Sequence, residues 1–231
     1  MSRLLVSTFI RMLKKVIFWV LVLCMFAYGV YSALNIASEA RMGFVLDGCL
    51  FECLPMMGLI SAIFTSLFIG SEYSDGTIRN KIIVGHSRIR IYLANFIVCA
   101  IASVLFSLSY TVGVFVIGNM NGGELITETG TIFLCMISSL MISVTFASIM
   151  TLLAILNTNK AGNVVVSMIL ALVLLVSGSF IHQKLGEPKL YDNYVTVNEM
   201  GIPTQIEQLP NPQYIEGTPR IVLEVLSDPV S

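Results

Sequence analysis

The chain has 231 residues, of which 56% are hydrophobic and only 12% charged, with a mean hydropathy of +0.86. A soluble domain carries about 25% charged residues, so this composition excludes a soluble enzyme with a polar surface and also a disordered chain. A formal net charge of −1 leaves no basic surplus to neutralise phosphates, which excludes a nucleic-acid binder. What remains is a helical integral membrane protein, an all-α polytopic bundle.

Residues 1–15 come first. On a projection at about 100° per residue, Arg3, Arg11, Lys14 and Lys15 share one side. Leu5, Val6, Phe9, Ile10, Met12 and Leu13 fill the opposite arc, and Leu4 is the exception. The pattern predicts an amphipathic helix lying on the inner membrane face; the alternative is a cytoplasmic extension of the first span. No small-residue site closes the following apolar run, so a cleaved signal peptide is not expected.

A hydrocarbon core of about 30 Å needs about 20 apolar residues in a helix. Stretches free of Asp, Glu, Lys and Arg predict five spans, at about 16–38, 53–71, 91–118, 131–159 and 161–182, within a transmembrane region 16–183. Pro55 falls in the first turn of the second, where its missing N–H costs least. The third stretch runs on to Gly123, which is long for one crossing at about 1.5 Å per residue. The turn-forming cluster from Gly118 to Gly123 is the expected stop, and the helix can also begin before the bilayer.

Basic residues set the orientation. Nine of the 13 fall before span one, between spans two and three, or between spans four and five; only two of the 14 acids join them. That side is about +7 and the other about −8. The N-terminus is therefore expected in the cytoplasm. Residues 184–231 form an external, acidic, Pro-rich tail, in which 221–226 is at most a short strand or one helical turn.

Cys24, Cys99 and Cys135 lie in apolar runs, where Cys acts as a small hydrophobe. Cys49 and Cys53 flank the start of the second span; a disulfide between them is left open. No metal site is expected. There is no G-x4-G-K-[ST], H-E-x-x-H or G-x-S-x-G, and no His–carboxylate cluster. Serines such as Ser103, Ser107, Ser139 and Ser143 are read as close helix packing. Ion-coupled carriers place ionisable groups inside the membrane. The five stretches hold none, so any transport energy is expected from elsewhere.

The segment from Gly70 to Phe96 is the most distinctive. Ser74-Asp75-Gly76 is a turn signal, Thr77 is a possible cap, and Gly85 ends a short amphipathic helix at about 76–85. Arg88 and Arg90 follow at the start of the third span. The plain alternative is a solvated basic loop.

Glu72-Tyr73-Ser74-Asp75-Gly76-Thr77-Ile78-Arg79, with Gly85-His86-Ser87-Arg88 beyond, resembles the E-x-x-x-G-T-hydrophobic-basic signature of type-2 ABC-transporter permeases of the Gram-positive type. The resemblance implies that residues 76–85 are a coupling helix docking on a separate cytoplasmic ABC ATPase. Glu72, Gly76, Thr77, Ile78, Arg79, Asn80 and Lys81 are the implied contact set, and Arg3, Arg11, Lys14, Lys15, Arg88 and Arg90 the basic residues at the membrane interface. It implies a non-enzymatic subunit of the bacterial plasma membrane, with ATP and Mg bound by the partner ATPase and a second permease chain completing the pathway. The implied cargo is a peptide, antibiotic or lipid-like molecule. The family has six spans and this sequence five, so the tail is expected to precede a missing sixth. The rival reading is a non-transporting immunity or sensor protein acting through its tail.

Overall fold

The computed structural model describes residues 2–39, 49, 52–121, 123, 129–157, 160–191, 195–197, 203–205, 209–211 and 214. They form α1 (Ser2–Lys14), α2 (Val16–Glu39), α3 (Cys53–Ser74), α4 (Thr77–Ile83), α5 (Arg88–Met120), α6 (Thr129–Leu156) and α7 (Lys160–Gly186). Among the described residues, five helices are long and apolar enough to cross a membrane: α2, α3, α5, α6 and α7. The chain is a polytopic helical bundle. α5 stops at Met120, where the Asn121 amide donates to the Ile117 carbonyl at 3.0 Å. The predicted strand or turn at 221–226 lies outside the described residues.

The chain divides into two units, Met1–Leu172 and Val173–Ser231. In the first, α2 and α5 lie closest. A Cβ added to Gly113 would sit 2.5 Å from the Phe26 carbonyl oxygen, and one added to Gly29 would strike the Tyr110 carbonyl. With no side chain between them, the two backbones touch, which is the usual way small residues bring membrane helices together. Ser109 adds a hydroxyl bond to the Val22 carbonyl at 2.9 Å. Phe18, Phe64 and Phe106 then join α2, α3 and α5, with ring centroids 5.5–6.1 Å apart.

A polar seam crosses the same interior. The Ser61 and Ser103 hydroxyls lie 3.1 Å apart between α3 and α5. Ser139 of α6 meets Ser107 of α5 at 3.4 Å and the Cys53 sulfur at 3.5 Å. These groups answer one another across helix contacts, as the packing reading of the serines requires. Cys49 and Cys53 are both buried.

In the second unit, α7 ends at Gly186 and two nested antiparallel ladders follow. β1 (Leu190–Tyr191) pairs with β4 (Leu209–Pro210), and β2 (Val195–Val197) with β3 (Pro203–Gln205). Asn211 fastens their base through bonds to Glu187 Oε2 at 2.9 Å and the Pro188 carbonyl at 3.0 Å. The alternating apolar residues here are too few to signal strands in the sequence.

Candidate functional site

α4 is a seven-residue helix defined by its ends. Gly76, with φ of +65°, turns the chain between α3 and α4 and is the N-cap. This left-handed conformation suits Gly because it has no Cβ to clash. Thr77 is the first helical residue rather than the cap, and no side chain caps this end. At the other end the His86 amide reaches the Lys81 carbonyl (3.1 Å) and the Gly85 amide the Ile82 carbonyl (3.0 Å). With Gly85 at φ +94°, this is a Schellman stop.

At 100° per residue, α4 has two faces. Ile78, Lys81 and Ile82 turn toward the bundle. Arg79, Asn80, Ile83 and Val84 turn away and are exposed, Ile83 at 74% and Val84 at 77%. The contact set expected from the sequence therefore divides. A consecutive run from Gly76 to Lys81 cannot present one surface, because it turns through more than a full circle. Ile83 and Val84 fall outside that run, although their helical spacing from Arg79 and Asn80 carries the signal.

Glu72 needs a larger correction. Expected among the contact residues, it is 0% exposed and lies near the end of α3. Arg11 Nη2 and Lys81 Nζ both reach its Oε1, the latter at 2.6 Å. Asn95 Nδ2 donates to its Oε2 at 2.7 Å. One carboxylate thus ties α1, α3, α4 and α5 together. A charge taken out of water needs such pairing, since an isolated buried ion is strongly disfavoured. Glu72 is an anchor behind the helix, not a surface on it.

Arg11 likewise departs from the interfacial set. Its guanidinium faces Glu72 and lies 4.8 Å from the centre of the Phe68 ring, a cation–π contact. Leu4, the exception on the helical projection, is buried with Ile91 and Ala94 of α5. The arc that reads as polar in α1 is therefore partly its protein-facing side. Val6, Ile10 and Leu13 form a second apolar stripe, which is exposed, and Arg3 and Lys14 are exposed beside it. Lys15 is half-buried at the bend into α2, where Trp19 Nε1 donates to the Leu13 carbonyl at 2.8 Å. Arg88 and Arg90 are exposed on the first turn of α5.

A cavity of about 380 Å³ lies between the inner face of α4 and the spans. Ile78, Ile82, Ile91 and Ile155 form apolar walls, with Arg88 and Asn95 among its polar lining. The Tyr73 hydroxyl closes the α6 side by donating to the Ile155 carbonyl at 3.1 Å.

No curated protein sequence matches the chain, and no solved structure matches it. A family described as ABC-2 family transporter protein matches residues 5–178, a stretch that contains α2, α3, α4, α5, α6 and most of α1 and α7. Five membrane-length helices, a short helix held between two of them and a match over most of the sequence lead to one conclusion: the chain belongs to the ABC-2 transporter family and is a transmembrane permease subunit of an ABC transporter.

Proposed function

We propose that this permease exports a peptide, antibiotic or lipid-like cargo, driven by ATP and Mg bound to a separate cytoplasmic ATPase that docks on the outer face of α4. One observation carries the reading. The inner face of α4 is fastened to α3 and α5 through Lys81, Glu72 and Asn95, while Arg79, Asn80, Ile83 and Val84 are left facing outward. Such a helix transmits a push rather than absorbing it. The exposed pair of isoleucine and valine supplies the apolar centre of an interface, and Arg79 and Asn80 its polar rim.

In this reading the basic end of the bundle faces the cytoplasm, in accord with the positive-inside rule. The chain hydrolyses no ATP itself, and a second permease chain completes the pathway. The spans offer uncharged polar groups and apolar surface, which suits an amphipathic cargo.

The test is co-purification with a P-loop ABC ATPase, sought among the neighbouring genes. Arg79→Glu with Ile83→Asp should abolish the complex, and Lys14→Glu on α1 should leave it intact. Retention of the ATPase by the double variant, with the permease still folded, would show that α4 is not the docking element.

A further inference from the structure

The cavity behind α4 has unmet chemistry of its own. Arg88 lines it and makes no ion pair among the described residues. It is also the first residue of α5, a helix of 33 residues with no acidic residue in its first turn. Ser87, at the N-cap, makes no side-chain hydrogen bond to the first amides. The positive end of the helix and a guanidinium therefore meet at one place without an anion.

Asn95 supplies an independent observation. It lines the cavity and is fully buried. Its Nδ2 is committed to Glu72, which fixes the orientation of the amide. Its Oδ1 has no partner among the described residues. Buried acceptors are nearly always paired, so this oxygen calls for a donor from an occupant. The remaining walls are Tyr73, Tyr92 and four isoleucines, and the isoleucine surface is one that neither water nor a bare phosphate would satisfy.

The occupant must carry an anion for Arg88, a hydrogen-bond donor for Asn95 and hydrocarbon for the isoleucines. Its location narrows the choice. The cavity lies where α3 ends and α5 begins, both helices long enough to span a membrane. Ile82 at its lining is 41% exposed, and Ile89 beside Arg88 is 72% exposed. Apolar surface bare at this level matches the boundary of a leaflet, where basic pockets between helices take up lipid headgroups.

We propose that this cavity binds an anionic phospholipid with a hydroxyl-bearing headgroup. The phosphate sits on Arg88 and the first amides of α5, a headgroup hydroxyl donates to Asn95 Oδ1, and the first chain carbons pack on Ile78, Ile82, Ile91 and Ile155. The site does not depend on what docks on the outer face of α4. If that face meets an ATPase, the lipid occupies the space against which α4 is pressed, and would stiffen it.

Native mass spectrometry of the purified chain in detergent tests the site, with phosphatidylglycerol, phosphatidylcholine and glycerol phosphate as probes. One phosphatidylglycerol should be retained per chain, phosphatidylcholine about tenfold less tightly, as expected for losing a charged or hydroxyl contact, and glycerol phosphate not at all. Arg88→Gln should weaken phosphatidylglycerol by about the same factor, and Ile78→Trp, which fills the cavity, should abolish the retained lipid. Arg90→Gln is the control, because Arg90 shares the charge and the exposure but not the cavity. Thermal unfolding in the same detergent establishes that each variant is folded; Arg88 is exposed, so its variant stays informative if Ile78→Trp does not fold. Wild-type retention by folded Arg88→Gln would overturn the proposal. So would equal weakening by Arg90→Gln, or equal affinity for the two lipids.

Discussion

Lys81 folds back across the Gly76 turn to place its ammonium 2.6 Å from the carboxylate of Glu72, nine residues earlier in the chain. The bond closes a small loop containing the end of α3, the turn and the first five residues of α4. The orientation of α4 is therefore held by an ion pair and not by the turn alone. Arg11 shares the same oxygen from α1, so a single acid balances two cations.

Replacing that acid should be costly. Glu72→Gln keeps the shape but leaves Arg11 and Lys81 without their counter-charge. Breaking a buried pair by removing one partner costs about 3–5 kcal/mol, and the partial exposure of Arg11 places the loss toward the lower end. Thermal unfolding in detergent should move clearly downward. Adding Lys81→Met should recover part of the shift. An unchanged midpoint for Glu72→Gln would mean that the network contributes nothing.

The α2–α5 crossing makes a sharper distinction. Gly113→Ala would drive a methyl into the Phe26 carbonyl, backbone that cannot step aside. Overpacking of this kind costs about 1–3 kcal/mol. Gly130→Ala meets nothing within 4 Å and should be close to neutral or slightly stabilising. Equal unfolding midpoints for the two variants would contradict the close approach.

Gly76 can be tested through its backbone alone. Its added Cβ would touch nothing within 4 Å, so no steric contact confuses the result. Gly76→Ala should cost about 1–2 kcal/mol from the left-handed φ. Gly76→Asn should cost less, because Asn tolerates this region. If Ala and Asn behave alike, the turn does not hold the conformation described.

Cys49 offers a pH test outside the spans. Burial, with a smaller contribution from the charge of Glu52, pushes its thiol above the ordinary value of 9.0. At pH 7 the folded chain therefore holds a protonated, slow-reacting thiol. Peptide-level maleimide labelling at Cys49 should stay low at neutral pH and rise only above about pH 9. The linked stability has a definite sign. Below about pH 7.5 both states keep the proton and the contribution is constant. As pH rises further the unfolded chain ionises first, and stability falls. Rapid labelling at pH 7 would show the thiol to be accessible or ionised.

Much of this architecture is legible in the sequence, for a physical reason. A bilayer permits only backbone that satisfies its own hydrogen bonds, so a 20-residue apolar run can do little but form a helix. Short-range signals fare equally well: Gly76 and Gly85 mark the ends of α4 by their missing side chains. Partnerships over long separations do not show. Nothing near Glu72 announces Arg11, 61 residues away, or Asn95, 23 residues away. Leu4 looks misplaced in α1 until Ile91 and Ala94 arrive from α5. The faces of α4 lie between these cases, since the angular arithmetic is available from the sequence but the direction of the bundle is not. The cavity behind α4 is invisible in the sequence, because its walls come from helices far apart in the chain.

The contact between Gly29 and Gly113 has a mechanical consequence. Where two helices meet through side chains, rotamer changes let one shift while the other stays. Here carbonyl abuts backbone and no deformable layer separates them. α2 and α5 must then respond as one stiff strut. α1 leads into α2 through Lys15, and α4 leads into α5 through the segment from Val84 to Ser87. The amphipathic helix and the short helix are thus levers on the same beam, joined a second time by Glu72. A displacement of either one is loaded onto both.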